Sequence, residues 1–384
     1  MLNRRTLRVK AMQAMFAYKQ CKEANYNIAI EQLESSFRQD LNSMEIQDPI
    51  ELEDGRKASI EMLKNAVGPD SSTKFASESD AANVAAKEAF KSYQDQIKKD
   101  YKKIKNQMIL ECERIYDRYI KILALLLRFS QFAGQGVGSK KSTSDDQVNF
   151  VNNLLINVLK SNKEFGAISL KKNLNWEDEM DLIRVWFKKI VVVDEVYEAY
   201  IKSSPSIDDD YDLLDYLVRK VIFKNEDILS YWENQDINWE EDQTVIRSLV
   251  IKTLKSLREK GEDFELSILS YNWEEDKAFF EKLFESTIKE EAMLQALVAE
   301  KTKNWEFERI AYTDRLILML AISEMIHFPS IPVKVTINEF IEVSKNYSTP
   351  KSKQFVNGVL DVIAVDLQEK GRIKKSGRGL IDNK

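Results

Sequence analysis

The sequence predicts an all-α protein, on three observations. Glycine (11) and proline (6) are scarce in a chain of 384 residues, well below what a loop-rich or all-β fold uses. Hydrophobic residues at 43% and charged residues at 31% suit packed helices with solvated outer faces. Apolar residues recur every three or four positions over long stretches, the period of one helix face. The length accommodates two domains or one large one. Its longest apolar runs, LALLL at 123–127 and LILMLAI at 316–322, are too short to span a bilayer. The N-terminus is basic but lacks the apolar core of a signal peptide. Cys21 and Cys112 make neither a disulfide framework nor a zinc cluster, so a soluble cytoplasmic protein without membrane association is expected.

The elements follow in order. RRTLRVKAMQAMFAYKQCKEANYNIAIEQLESSFRQDL reads as a helix with a second one beginning near residue 28. Arg4, Arg5 and Arg8 fall within an arc of about 100° on it. Val9, Met12 and Phe16, with Ala11, Met15 and Tyr18, supply its apolar positions. Residues 1–22 hold Arg4, Arg5, Arg8, Lys10, Lys19 and Lys22 with no acid. The whole chain is at −6, so the rest carries −12, a distribution that suits one anion-binding face on an acidic body. Residues 43–90 are weakly apolar and read as a mobile insertion with one short helix. A long helix over roughly 91–132 is marked by Ile97, Tyr101, Ile104, Met108, Cys112, Ile115, Tyr119, Ile122 and Leu126. FAGQGVGSKKSTSDD at 132–146 follows as a linker. It lacks the glycine spacing of a Walker loop and follows a helix instead of a strand.

The middle of the chain repeats itself. Asn-Trp-Glu occurs at 175–177, 238–240, 272–274 and 304–306, with tryptophans 63, 34 and 32 residues apart. The widest gap holds SIDDDYDLLDYLVRKVI at 206–222 as a degenerate copy, and periods of this size predict stacked helical hairpins. Asparagine suits a helix N-cap, and Asn238 with Glu241 and Asn272 with Glu275 have capping-box spacing. The tryptophans are expected to seal each hairpin against its neighbour.

Three further helices are predicted near the C-terminus: NWEFERIAYTDRLILMLAISEMIHF, then after a proline-marked turn IPVKVTINEFIEVSKNYS, then SKQFVNGVLDVIAVDLQEK. The last carries Asn357 and Gly358 in mid-helix. Gly358 is expected where a neighbouring backbone approaches closely, and Asn357 and Asn338 where buried backbone groups need partners. The tail EKGRIKKSGRGLIDNK reads as a disordered basic segment. The chain thus divides into 1–133 (basic helix, insertion and long amphipathic helix), 147–300 (hairpin repeats), 301–370 (C-terminal helical region) and a basic tail at 371–384.

IPVKVTINEFIEVSKNY followed by KSKQFVNGVLD resembles the C-terminal signature of the NusB family of transcription antitermination factors. TDRLILMLAISEM resembles that family's preceding helix, and RRTLRVKAMQAMF its arginine-rich first helix. The likeness covers about 65 residues at one end and about 20 at the other, with some 250 residues between them in place of the family's usual short span. It implies a pair of helical bundles, here with an added hairpin-repeat region. It also implies binding of boxA-type single-stranded RNA of ribosomal leader transcripts together with NusE, a small-subunit ribosomal protein. The complex joins RNA polymerase and other Nus factors, without catalysis or cofactor.

Residue by residue, Arg4, Arg5 and Arg8 match the basic positions of the first helix, with Lys10 beside them, and Phe16 matches an aromatic one. Thr6 replaces a frequent arginine and Val9 a frequent acid. Tyr347 and Phe355 match aromatics flanking the RNA-facing turn. Lys351 stands where an acid is common, and with Lys353 it adds charge there. Asp314 matches an acid implicated in docking NusE. Cations that release counterions and aromatics that stack on unpaired bases are what single-strand recognition requires. The alternative is a helical-repeat scaffold that binds protein partners through 147–300. NusB-like domains also precede some RNA cytosine methyltransferases, but no glycine-rich cofactor loop or catalytic domain is present. His327 is the only histidine, so histidine-paired nucleophiles and multi-histidine metal sites are excluded, and no catalytic residue or metal is expected.

Overall fold

A computed structural model describes residues 1–40, 42, 47–68, 74–136, 147–302 and 310–381, and among these there is no strand. The helices are α1 (Arg4–Ser36), α2 (Pro49–Val67), α3 (Asp80–Gly136), α4 (Val148–Val151), α5 (Leu154–Ser161) and α6 (Lys163–Lys171). Next come α7 (Met180–Trp186), α8 (Glu195–Ile201), α9 (Ile207–Tyr216), α10 (Glu226–Gln235) and α11 (Trp239–Lys260). The last are α12 (Trp273–Lys289), α13 (Glu291–Lys301), α14 (Tyr312–His327), α15 (Val333–Tyr347) and α16 (Ser352–Glu369). They form two compact units. A terminal unit joins Arg4–Ile109 to Glu274–Lys384, and a central unit holds Met1–Asn3 with Leu110–Trp273.

The terminal unit is built around α14. Every residue from Leu316 to Met325 is buried, so the helix is apolar nearly all round and belongs in a core. It packs on α1, α13, α15 and α16. Contrary to the expected break near residue 28, α1 is one 33-residue helix, whose second half buries Ala29 and Leu33. The described parts of the 43–90 stretch are helical and packed, in place of the expected loose insertion. Asp48 caps α2 by accepting from the Ile50 N–H at 2.8 Å, Pro49 sits in the first turn, and Met62, Leu63 and Ala66 are buried. Leu63 packs with Ala29, Leu33, Ala89 and Tyr93. The weak apolar signal has a physical cause: Ala82, Ala86 and Ala89 are buried by close helix approach, which a hydropathy pattern reads as near neutral.

Two glycines carry conformational weight. Gly371, at φ +64, ends α16, with the Arg372 N–H donating back to the Leu367 carbonyl at 2.9 Å. Gly379 allows the tail to dock: its added Cβ would collide with the Pro329 carbonyl. Ser376 N–H donates to that same carbonyl at 3.0 Å, and Lys375 Nζ to the Phe328 carbonyl at 3.0 Å. Burial pulls the Lys375 ammonium down to about 8. The described part of the tail is therefore anchored. Gly358, the expected close-approach glycine, is exposed, and a Cβ there meets nothing within 4 Å. Asn357 bonds to Asp361 one turn on, and Asn338 is exposed, so neither serves a buried backbone.

In the central unit two of the copies take the same form. The stretch α7, a π-helical turn (Phe187–Val191) and α8 recurs as α9, a π-helical turn (Leu217–Ile222) and α10. Asp194 and Asn225, 31 residues apart, cap the second helix of each pair with their side chains. The aromatic residues do seal it. Trp232 stacks on Trp239 at 4.9 Å and meets Trp176 edge-on at 5.5 Å. The Trp176 indole donates to the Lys121 carbonyl at 2.6 Å.

The capping expectation fails at Asn238, whose side chain makes no cap bond. The capping box that forms is Ser206 with Asp209. What recurs instead is an acid four residues into each copy. Glu179 accepts from Lys121 at 2.7 Å and Tyr231 at 2.8 Å, and Asp210 accepts from the Leu154 N–H at 2.7 Å. The copy at 304–306 lies outside the described residues, as do 137–146 of the expected linker.

Trp239→Ala removes the middle of the aromatic stack and should cost about 3–5 kcal/mol, read by urea titration of the full chain. Gly379→Ala should release the tail, seen as faster tryptic cleavage at Lys374, Lys375 and Arg378 with α14–α16 intact.

Candidate nucleic-acid interface

The arginine-bearing turn of α1 lies within the terminal unit, against α12, α14 and α15. Arg8 is 3% exposed. Its Nε donates to Glu324 Oε2 at 2.7 Å and its Nη2 to Oε1 at 2.8 Å, a fork-on-fork pair in which Glu324 is wholly buried. Thr336 on α15 donates its hydroxyl to Glu324 Oε1 at 2.8 Å. The Arg8 guanidinium also lies 5.4 Å from the Phe279 ring centre and 5.9 Å from that of Phe340. Lys10 is buried as well. The expectation that Arg8 and Lys10 face a polyanion is therefore corrected: both point into the protein, and Arg8 joins three helices.

Arg4 and Arg5 differ in kind. The Arg4 side chain is 37% exposed and pairs with Glu275 at 2.5 Å. Arg5 is 47% exposed and forks onto Glu339 with two bonds of 2.9 Å. That hydrogen bond, more than any other influence, raises the Arg5 guanidinium above its ordinary value. Exposed pairs of this sort contribute at most about 1 kcal/mol, so an incoming phosphate can compete for them. The buried Arg8 pair has no such access.

Around the start of α16, hydroxyls fix the turn. Ser352 donates to Asp314 at 2.6 Å and also meets Ser348 at 2.9 Å and Thr349 at 2.8 Å. Asp314 is buried beneath this network, so the acid expected to dock a partner instead pins the turn to α14. Lys351 and Lys353 are exposed on it, and no acid occupies the first turn of α16. The positive end of the helix dipole thus adds to their charge.

Glu342 on α15 shows what meets here. Its carboxyl is held below the ordinary range, first by the hydrogen bond from Lys345 and further by the charges of Arg5 and Lys353. The fold therefore brings together the N-terminus of α1, the last turn of α15 and the first of α16. Tyr347 is half-buried beside that turn.

Phe355 departs from this group. Two residues along a helix is a rotation of about 200°, and its ring lines a groove with Lys301, Thr302, Gly358 and Val362. Phe16 is 42% exposed and meets Tyr312 edge-on at 5.5 Å. Sequence reasoning missed Lys345 and Tyr312. Neither belongs to the recognised basic or aromatic pattern, and only the crossing of α1, α14 and α15 gives them their place. Among the described residues, no group of three or more His, Cys, Asp or Glu side chains is placed to hold a metal ion.

Glu324→Ala leaves the Arg8 cation buried without its forked hydrogen bonds, with only Glu339 3.6 Å away, and should destabilise the terminal unit by about 3–5 kcal/mol. Arg5→Ala should cost no more than about 1 kcal/mol. Chemical denaturation of both variants checks the contrast.

The sequence model of the NusB family matches residues 244–365. The transcription antitermination protein NusB of Salinibacter ruber is 40% identical over 141 residues, which span 35% of this chain and 88% of that protein. Its counterpart in Chloroherpeton thalassium is 42% identical over 106 residues, 28% of this chain and 50% of that one. That of Bacillus velezensis is 40% identical over 95 residues, 25% and 73% respectively. No solved structure matches the chain. The matched region runs from within α11 into α16 and so takes in α14, α15 and the turn that carries Lys351 and Lys353. With 88% of a relative's length aligned at 40% identity, this chain belongs to the NusB family.

Proposed function

We propose that this protein is a cytoplasmic, non-enzymatic transcription antitermination factor that binds boxA-type single-stranded RNA together with NusE. The resulting complex joins the elongating RNA polymerase and other Nus factors. The single observation that carries the RNA contact is that Arg5 and Lys345 pair with Glu339 and Glu342, one turn apart on α15, while Lys353 is exposed in the acid-free first turn of α16. Lysines and an exchangeable arginine supply phosphate affinity, and Tyr347 and Phe16 offer aromatic faces to unstacked bases. Arg4 is available on the same terms as Arg5. Arg8 and Lys10 act from within, by holding α1 in place. Phe355 serves the same RNA only if the strand passes over the start of α16. Asp314 contributes to NusE docking through the shape of the turn it pins.

The relatives' name supports the antitermination role. The central unit argues less for a scaffold, because its repeat tryptophans Trp176 and Trp239 are buried against each other's neighbours.

Fluorescence anisotropy with a labelled boxA-bearing RNA, with and without NusE, tests the reading across a salt series. The double variant Lys351→Ala, Lys353→Ala should bind more weakly. Its slope of log affinity against log salt should be shallower by about 0.7 for each lost phosphate contact. NusE should tighten the wild-type complex. Binding equal to that of a scrambled RNA, with or without NusE, overturns the proposal and moves function to protein partners of the hairpin repeats.

A further inference from the structure

Past Phe16, α1 borders a cavity of about 300 Å³ within the terminal unit. That volume is at the lower end for small-molecule sites and is of mononucleotide size. Lys19, Lys22 and Tyr26 are spaced three and four apart on α1, so all three fall on one face and line it. Tyr312 and Arg315 enter from the first turn of α14 and Tyr93 from α3, over a floor that includes Leu316 and Met319. Arg315 lies 5.1 Å from the Tyr312 ring centre.

Three cations, Lys19, Lys22 and Arg315, line the cavity; Lys19 pairs with Glu291, and Glu23 stands at the wall. Lys22 makes no ion pair among the described residues. Burial lowers the Lys19 ammonium, Glu291 partly restores it, and the charges of Lys22 and Arg315 lower it further. Cations crowded in this way gain from an anion placed among them. Tyr93 is pushed up to about 12 by burial, so its hydroxyl remains a hydrogen-bond donor at any physiological pH.

We propose that this cavity holds one nucleotide of a single-stranded RNA, with its phosphate among Lys19, Lys22 and Arg315 and its base against Tyr26 and Tyr312. Phosphate and a flat ring are the chemistry that three cations and aromatic faces recognise together. The RNA is favoured over a free nucleotide because Tyr312 lines the cavity and also touches Phe16, which continues the edge described above. The proposal rests on the RNA-binding reading and extends it to residues outside the basic first turn of α1.

The test uses the full chain, with wild type, Lys22→Ala and Lys22→Arg. Lys22 is the residue to change because its removal strips no carboxylate of a partner. Two probes are used: a labelled single-stranded RNA 12-mer in anisotropy, and uridine 5′-monophosphate by calorimetry, with uridine as the phosphate-free control. The expected result is about tenfold weaker RNA binding for Lys22→Ala, recovery in Lys22→Arg and an unchanged melting temperature. Uridine 5′-monophosphate should bind wild type more tightly than uridine does, and the RNA should displace it.

Equal RNA affinity for wild type and Lys22→Ala overturns the cavity assignment, while sensitivity to Lys351 and Lys353 would leave the interface reading standing. Binding of uridine 5′-monophosphate that depends on Lys22 but is not displaced by RNA assigns the cavity to a free nucleotide and overturns the RNA occupant. Absence of any RNA binding by wild type overturns both readings.

Discussion

The buried pair of Arg8 and Glu324 is the contact on which the terminal unit depends. A bidentate guanidinium–carboxylate bond in a water-free setting is directional, and its geometry admits little slack. Arg8 comes from α1, Glu324 from the central helix α14, and Thr336 of α15 closes on the same carboxylate. One carboxylate thereby sets the placement of three helices. The rings of Phe279 and Phe340 lie near the cation and shield it from water. Such a pair gives little net stability compared with a well-packed apolar triad, but half of it is costly to keep. It fixes where α1 lies more than it strengthens the fold.

That fixed placement decides the chemistry of the surface. With Arg8 turned inward, Arg5 falls on Glu339, one turn of α15 before the Glu342 that pairs with Lys345, and the charges of Arg5 and Lys353 both act on Glu342. Asp314 does the corresponding work from the other side, because its bond to Ser352 orients the first turn of α16. Three buried or half-buried polar contacts therefore hold a set of exposed lysines whose own ion pairs are weak. A phosphate needs only to outcompete pairs worth at most about 1 kcal/mol each. Rigid support beneath and exchangeable charge above is the arrangement a polyanion-binding edge requires.

The central unit shows how far a repeat is specified by a few positions. The copies at 175 and 206 differ in most residues, yet both keep an acid four residues in and a π-helical turn where the backbone opens before the next capped helix. Trp239 has no counterpart of its kind in the 206–222 copy, where Ile207 stands and is exposed. The repeat is held by polar pins at fixed offsets and by one aromatic cluster.

Much of this was legible in the sequence, for a local reason. Helix period, the apolar α14, the internal copy at 206–222 and the family signature around residues 332–361 all depend on neighbours within a few turns. Local signals also misled. Alanines hid the packing of α2 and α3, and Gly358 looked like a close-contact glycine when Gly379 is the one against Pro329. The arginines mark the limit most clearly. Arg4, Arg5 and Arg8 share one arc of α1 and are chemically alike, so no pattern separates them. Their partners Glu339 and Glu324 lie 334 residues from Arg5 and 316 from Arg8. Which arginine is buried and which faces solvent was decided only when α14 and α15 folded against α1, because desolvating a cation is tolerable only where a carboxylate already waits.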